Sequence, residues 1–151
     1  MKIFYADNLL TLTEGPEIKV YNFNRLSLDS SSLEHLGTFH IQGGQAESIF
    51  TIGNSIIGGF SNDRGCYMAL LDSNGSIISN LTFADGYSIN AIDYDNGILA
   101  LAAGNDGVII YEWAESLNLN LKGILSTGDD NYVYDLKVSG ENIYIASEDG
   151  I

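Results

Sequence analysis

Positive charge is scarce in this sequence. Its 151 residues include six lysines and arginines against 20 aspartates and glutamates, which gives a formal net charge of −14 at pH 7. Because binding to nucleic-acid phosphates requires clustered basic side chains, the composition argues against nucleic acid as a partner. An anionic membrane surface is disfavoured for the same reason.

Several other features are rare or missing. A lone cysteine, Cys66, excludes an intramolecular disulfide, and the single proline gives no sign of a rigid linker between domains. No apolar run approaches the roughly 20 residues of a membrane-spanning helix. The first residues, Met1 to Asp7, lack the apolar core of a signal peptide. We therefore expect one cytoplasmic domain over residues 1–151.

The sequence does contain a repeated pattern of strands and turns. Residues 92–108 (IDYDNGILALAAGNDGV) and 136–151 (LKVSGENIYIASEDGI) each predict a strand, a polar turn, a second strand, an acidic turn with glycine and the start of a third strand. Weaker copies begin near residues 3 and 49. A repeat of 40 to 50 residues that consists only of strands and turns is typical of propeller blades. If Leu9, Ile56, Ile98 and Ile143 are equivalent, their spacings are 47, 42 and 45 residues.

The third module shows the expected strands most clearly. Alternation and turn residues place them at 88–94, 98–103, 108–113 and 121–126. The second of these is almost entirely apolar, which predicts a strand covered on both faces, and its small alanines would let neighbouring sheets approach closely. We expect modules near 1–41, 46–83, 87–126 and 131–151, with Ile56, Ile98 and Ile143 buried at equivalent positions.

Two known repeat families resemble these segments. Residues 133–150 (VYDLKVSGENIYIASEDG) resemble the LVIVD-type propeller repeat, and residues 107–113 (GVIIYEW) look like its following strand. The same segments are similar to WD-repeat blades; the resemblance is strong over residues 87–151 and looser over 1–83. It implies an all-β fold, namely a partial β-propeller of about three and a half four-stranded antiparallel blades, used as an interaction platform.

Closed propellers usually have about four to eight blades. We therefore expect either that this chain is part of a longer propeller or that copies of it self-associate through the incomplete blades.

The expected fold brings many acidic residues to one face. If the strands of a blade are labelled A to D, the B–C turns and D–A connections of a propeller lie on one face. We expect this face to contain half of the 20 acids and only one base, Arg64. Tyrosines lie beside these acids, where the A strands begin. Carboxylates pair with cations, and aromatic rings accept a lysine stem or a guanidinium plane. We therefore predict a non-enzymatic face that binds a basic peptide or protein segment through Glu14, Asp63, Asp106, Glu148, Asp149, Asp85, Tyr87, Asp130, Tyr132 and Tyr134.

Two alternatives stay open at this point. Acids and glycines recur in tight turns for conformational reasons, and the tyrosines would then pack between blades. The chain could also be a propeller enzyme whose channel carboxylates hold a metal. The sequence contains no P-loop, Gly-x-Ser-x-Gly or His-Glu-x-x-His motif, and His35 and His40 have no cysteine beside them. We therefore assign no catalytic residue, metal ligand or cofactor.

Overall fold

The described part of this chain is built from strands. In the computed structural model the described residues are 1–23, 33–114, 116–128 and 131–150, and they include no helix long and apolar enough to cross a membrane. The strands are β1 (Ile3–Ala6), β2 (Leu9–Glu14), β3 (Glu17–Phe23), β4 (Leu33–His40), β5 (Ala46–Ile52), β6 (Ser55–Phe60), β7 (Cys66–Leu71), β8 (Ile77–Phe83), β9 (Ala91–Asp95), β10 (Ile98–Ala102), β11 (Val108–Trp113), β12 (Leu119–Leu125), β13 (Val133–Ser139) and β14 (Asn142–Ser147).

Consecutive strands pair antiparallel and form four separate sheets. The first three sheets have the orders β1-β2-β3-β4, β5-β6-β7-β8 and β9-β10-β11-β12, and the fourth contains β13 and β14. The first strands of successive sheets contact each other, β1 with β5, β5 with β9 and β9 with β13. This arrangement confirms the predicted all-β fold of about three and a half blades.

The third sheet shows how closely the strand limits were predicted. β11 has the predicted limits, whereas β9 begins at Ala91 and not at residue 88. The difference arises because the amide of Ile89 donates to the carbonyl of Phe60 in the preceding sheet, at 3.0 Å. Residues 88–90 therefore connect two sheets before the strand starts.

One predicted alignment of the modules is wrong by one residue. A two-residue turn joins the first two strands of every sheet, and the pairs that flank these turns are Ala6–Leu9, Ile52–Ser55, Asp95–Ile98 and Ser139–Asn142. Leu10, Ile56, Leu99 and Ile143 are therefore equivalent, and the predicted Leu9 and Ile98 each lie one position earlier. Since adjacent residues of a strand face opposite sides of the sheet, Ile98 does not share the environment of Ile56.

Every sheet face that packs against a neighbouring sheet buries apolar side chains. Ile56 packs toward the first sheet, Leu99 toward the second, and Ile98 toward the fourth. Ile56 and Leu99 are fully buried, whereas Ile98 and Ile143 are only partly buried, so the predicted burial of those two was overstated. The predicted two-sided cover of β10 is confirmed.

Small residues on this strand and its equivalent allow the sheets to approach closely. Ala100 and Ala102 are completely buried between the third and fourth sheets. In the second sheet, a Cβ atom added to Gly58 would lie 2.0 Å from Cδ1 of Ile18 in the first sheet. Glycine at this position thus makes room for the isoleucine, as close packing between sheets requires.

A buried carboxylate links the third sheet to the fourth. Asp93 on β9 is 6% exposed, and its Oδ2 accepts a hydrogen bond from the amide of Val138 on β13, at 2.6 Å. Its Oδ1 also pairs with Nζ of Lys137, at 2.9 Å. The carboxylate therefore satisfies a buried backbone donor that β14 does not reach.

The corrected alignment leads to a stability prediction. We expect Leu99→Ala to lower the free energy of unfolding by about 2–5 kcal/mol, because it removes a large buried side chain. Ile98→Ala should cause a clearly smaller loss, since that side chain is only partly buried. Urea unfolding followed by circular dichroism measures both variants; equal losses would contradict the one-residue shift.

A second stability prediction concerns Asp93. Asp93→Ala leaves the buried amide of Val138 without its acceptor, and we expect the free energy of unfolding to fall by about 1–3 kcal/mol. Lys137→Met is the matched control: it removes the mostly exposed ammonium but keeps the hydrogen bond from the Val138 amide to Asp93, so it should cost less than Asp93→Ala. If the two variants were equally stable, the hydrogen bond from the Val138 amide to Asp93 would contribute little to the free energy of unfolding.

Candidate functional site: an acidic rim

The candidate site lies at one end of the sheets. We call it the acidic rim and define it by the turns that follow β2, β6, β10 and β14, by the connections β4–β5, β8–β9 and β12–β13, and by the strand residues that flank them. Eight of its described residues are acidic: Glu14, Glu17, Glu47, Asp63, Asp85, Asp106, Glu148 and Asp149. Asp129 and Asp130, the latter one of the predicted binding residues, lie outside the described residues.

The rim carries more basic side chains than Arg64, so the prediction of a single base was wrong. Lys19 on β3 pairs with Glu14 and, at 3.8 Å, with Glu17. The hydrogen bond to Glu14 raises the pKa of the Lys19 ammonium above its ordinary value. In addition, Nζ of Lys2 donates to the carbonyl of Asn90 in the β8–β9 connection, at 3.2 Å.

Arg64 also belongs to the first half of the rim. A Cβ atom added to Gly43 would lie 3.1–3.5 Å from its guanidinium atoms, so the side chain lies over the β4–β5 connection. The pairing of Glu14 with Lys19 makes that carboxylate less available for a cationic partner than the sequence predicted.

Asp63 has a structural role within the rim. Its amide donates to Oγ of Ser88, and the Ser88 hydroxyl donates back to Oδ1 of Asp63, both at 2.9 Å. The nearby Tyr87 is partly buried against the core between the second and third sheets, and its carbonyl accepts from the amide of Gly65. These two predicted binding residues attach the β6–β7 turn to the β8–β9 connection.

Tyr132 likewise contributes to packing between sheets. Its hydroxyl accepts a hydrogen bond from Nδ2 of Asn90, at 2.9 Å, and the same amide donates to the carbonyl of Val133 at 3.1 Å. Its ring lies against Gly104, where an added Cβ would be 2.8 Å from Cε2. Through its contacts with Lys2, Tyr132 and Val133, Asn90 thus links the first, third and fourth sheets.

Tyr134 differs from Tyr87 and Tyr132, the other two predicted binding tyrosines, because it is exposed. The pairing of β13 with β14 shifts between Val133 and Asp135, and this irregularity places Tyr134 where its side chain is 52% exposed. Its hydroxyl donates to Oε1 of Glu148, at 3.0 Å, and its ring centroid lies 4.9 Å from that of Tyr132. The hydrogen bond to Glu148 raises the pKa of the Tyr134 phenol, and the negative charge of that carboxylate adds to the effect.

The remaining predicted residues are acids in turns and connections of the rim. The amide of Asp149 donates to Oδ1 of Asn131, at 3.3 Å, while the side chains of Asp85 and Asp106 are exposed. The described residues that the third and fourth sheets contribute to the rim include no lysine or arginine. We call Tyr132, Tyr134, Asp106, Glu148 and Asp149 the tyrosine–acid sector.

Chemically, the tyrosine–acid sector combines an exposed aromatic ring with carboxylates that no described cation neutralises. Such a surface suits a cationic side chain better than a metal ion, because a metal needs several oxygen ligands converging on one point. Within the described ranges, no group of three or more His, Cys, Asp or Glu side chains is placed to hold a metal ion.

The Tyr134–Glu148 hydrogen bond leads to a prediction about titration. Glu148→Gln removes the carboxylate that favours the protonated phenol, so the pKa of Tyr134 should fall toward its ordinary value. Two-dimensional NMR of ring-labelled tyrosines can follow Tyr134 among the nine tyrosines. Asp106→Asn serves as the control and should leave this pKa unchanged; an unaltered Tyr134 titration in Glu148→Gln would contradict the contact.

Comparison with solved structures shows the same fold in other proteins. The computationally designed Ika4 protein matches with a TM-score of 0.73 and 14% identity, over 99% of this chain and 85% of that chain. Hsv2 of Kluyveromyces lactis matches with a TM-score of 0.72 and 10% identity, over 97% of this chain and 45% of that one. The WD40 domain of Neurospora crassa Pan2 gives 0.67 and 14%, over 97% and 43%.

Sequence comparisons add no family. No protein-family model matches the sequence, and a search of curated proteins found no match. The chain spans less than half the length of the two natural structures described above. Sequence identities this low support only a shared fold, so the resemblance to LVIVD-type repeats stays a prediction. The fold itself is that of a β-propeller-like protein with four-stranded antiparallel blades.

Proposed function

We propose that this chain is a non-enzymatic interaction module whose tyrosine–acid sector binds a basic peptide or protein segment. The observation that carries the proposal is the exposed Tyr134 ring held beside the Glu148 carboxylate. A lysine or arginine side chain could place its charge near Glu148 and its stem or guanidinium plane over the ring. The net charge of −14 favours a cationic partner over an anionic one.

The division of the rim supports this choice of sector. In the first half, Lys19 neutralises acids and Asp63 is engaged with Ser88, so fewer carboxylates are available there. In the third and fourth sheets, Asp106, Glu148 and Asp149 lie on neighbouring turns. We therefore expect a bound peptide to run along these two sheets.

Binding is best measured with peptides whose charge can be removed. Isothermal titration calorimetry with lysine-containing peptides should show binding that is lost when the same lysines are acetylated, because acetylation removes the charge and keeps the stem. Affinity should fall as salt is added, since exposed charges are screened beyond about 8 Å at physiological ionic strength. Binding that is indifferent to acetylation would contradict the proposal.

Charge-neutralising variants locate the site. Glu148→Gln and Asp106→Asn should each weaken binding about two- to fivefold, as expected for exposed ion pairs worth up to about 1 kcal/mol. The matched control is Glu141→Gln, because Glu141 is an exposed acid in the β13–β14 turn, at the opposite end of the fourth sheet. Equal weakening in all three variants would indicate a general charge effect and no site on the rim.

The alternative is a propeller enzyme with channel carboxylates that hold a metal. It predicts a different result. Titration with calcium, magnesium or manganese should then give a stoichiometric site and raise the melting temperature. Our proposal expects neither result. Tight metal binding that Asp106→Asn abolishes would favour the enzyme over the interaction module.

A further inference from the structure

Two asparagines in this chain are each followed directly by a glycine. In such a pair the backbone nitrogen of the glycine can attack the side-chain carbonyl carbon of the asparagine, since glycine has no Cβ atom that obstructs the approach. The sequence contains the pairs Asn74-Gly75 and Asn96-Gly97, and three Asp-Gly pairs in which a similar attack is possible, Asp85-Gly86, Asp106-Gly107 and Asp149-Gly150. The contacts of each glycine amide decide which of these pairs is ready to react.

Four of these five glycine amides donate hydrogen bonds within the fold. The amide of Gly75 donates to the carbonyl of Asp72, at 3.0 Å, and those of Gly86, Gly107 and Gly150 donate to other backbone carbonyls, at 3.0–3.2 Å. Gly97 differs, because no described residue accepts a hydrogen bond from its amide. Among these pairs, the attacking nitrogen is therefore available only next to Asn96.

The competing pair at Asn74 is held in place. Oδ1 of Asp72 accepts from the amide of Asn74, at 2.9 Å, while the carbonyl of Asp72 accepts from the amide of Gly75. Gly75 is buried, and a Cβ atom added there would lie 2.3 Å from Cδ1 of Leu36 in the first sheet. The β7–β8 turn therefore resists the backbone rotation that an attack requires.

Asn96 is exposed and is not held in this way. It forms a two-residue turn with Gly97 between Asp95 and Ile98, with φ of +47° at Asn96 and +84° at Gly97. Positive φ at both positions is typical of the type I′ hairpin turn. The Asn96 side chain makes no hydrogen bond with a described residue. The nitrogen that attacks and the carbon that it attacks are thus both accessible.

We propose that Asn96 is a site of spontaneous modification, at which asparagine is converted to aspartate and isoaspartate. Hydroxide removes the proton of the Gly97 amide, whose nitrogen forms a bond to Cγ of Asn96. The bond between Cγ and Nδ2 then breaks, and Nδ2 leaves as ammonia after it takes a proton from water, which restores the hydroxide. Water opens the resulting succinimide ring at either carbonyl and gives aspartate or isoaspartate. Water is the only co-reactant.

The isoaspartate product should weaken the contacts of this turn. Its backbone runs through Cβ and Cγ of residue 96 and gains a methylene group, so a two-residue turn cannot keep its geometry between Asp95 and Ile98. Oδ2 of Asp95 accepts from the amide of Gly140 in the fourth sheet, and the carbonyl of Gly97 accepts from the amide of Trp113, both at 2.8 Å. Modification should therefore loosen the third sheet and its junction with the fourth. The turn lies at the opposite end of the sheets from the acidic rim, so this proposal does not depend on peptide binding.

Peptide mapping by mass spectrometry tests the proposal. The purified chain is incubated in its folded state in mildly alkaline buffer, and the unmodified, aspartate and isoaspartate forms of each peptide are separated and quantified over time. We expect Asn96 to react about two- to tenfold faster than Asn74, because a hydrogen bond worth about 0.5–1.5 kcal/mol must first break at Gly75. Asn74 is the internal control, since it also precedes a glycine.

Unfolding the chain isolates the contribution of the fold. In urea both glycine amides are solvated, so the two asparagines should react at similar rates. Equal rates in the folded chain, or a faster reaction at Asn74, would overturn the proposal. An Asn96 that reacts only after unfolding would overturn it as well.

Thermal unfolding measures the structural consequence. The isoaspartate form is isolated and compared with the variant Asn96→Asp, which has the added charge but keeps the normal backbone. We expect the isoaspartate form to melt about 2–4 °C below this variant, the shift that corresponds to the loss of one typical hydrogen bond in a chain of this size. Equal melting temperatures would contradict the predicted loosening of the turn.

Discussion

Burial of both faces of each sheet is the constraint on which this structure depends. A four-stranded sheet with one covered face can alternate apolar and polar residues, but a sheet stacked between two others cannot. β10 meets the constraint with Leu99 and Leu101 on one side and Ala100 and Ala102 on the other, all four completely buried. Large side chains thus face the preceding sheet and small ones the following sheet, which lets successive sheets approach closely.

This constraint also determines where charge can lie. With the interior faces apolar, the acids are concentrated in turns and connections, and the few inside the stack must have partners, as Asp93 does with Val138 and Lys137. Acids in the turns also stabilise the fold: Asp63 on the rim attaches a turn to a connection, and Asp7 in the β1–β2 turn, at the opposite end of the first sheet, accepts from the amide of Gly53 in the next sheet, at 2.8 Å. Only acids that do not make such stabilising contacts within the fold are well suited to bind a partner.

Much of the fold could be predicted from the sequence because its signals are local. Turns such as Asn96-Gly97 and the apolar run of β10 fix strand limits to within a few residues. The alignment failed where it depended on similarity between isoleucines, because a one-residue shift exchanges the two faces of a strand. The site was harder to predict, since the contacts of Lys2 with Asn90 and of Asp63 with Ser88 join residues distant in sequence, and no pattern along the chain indicates them.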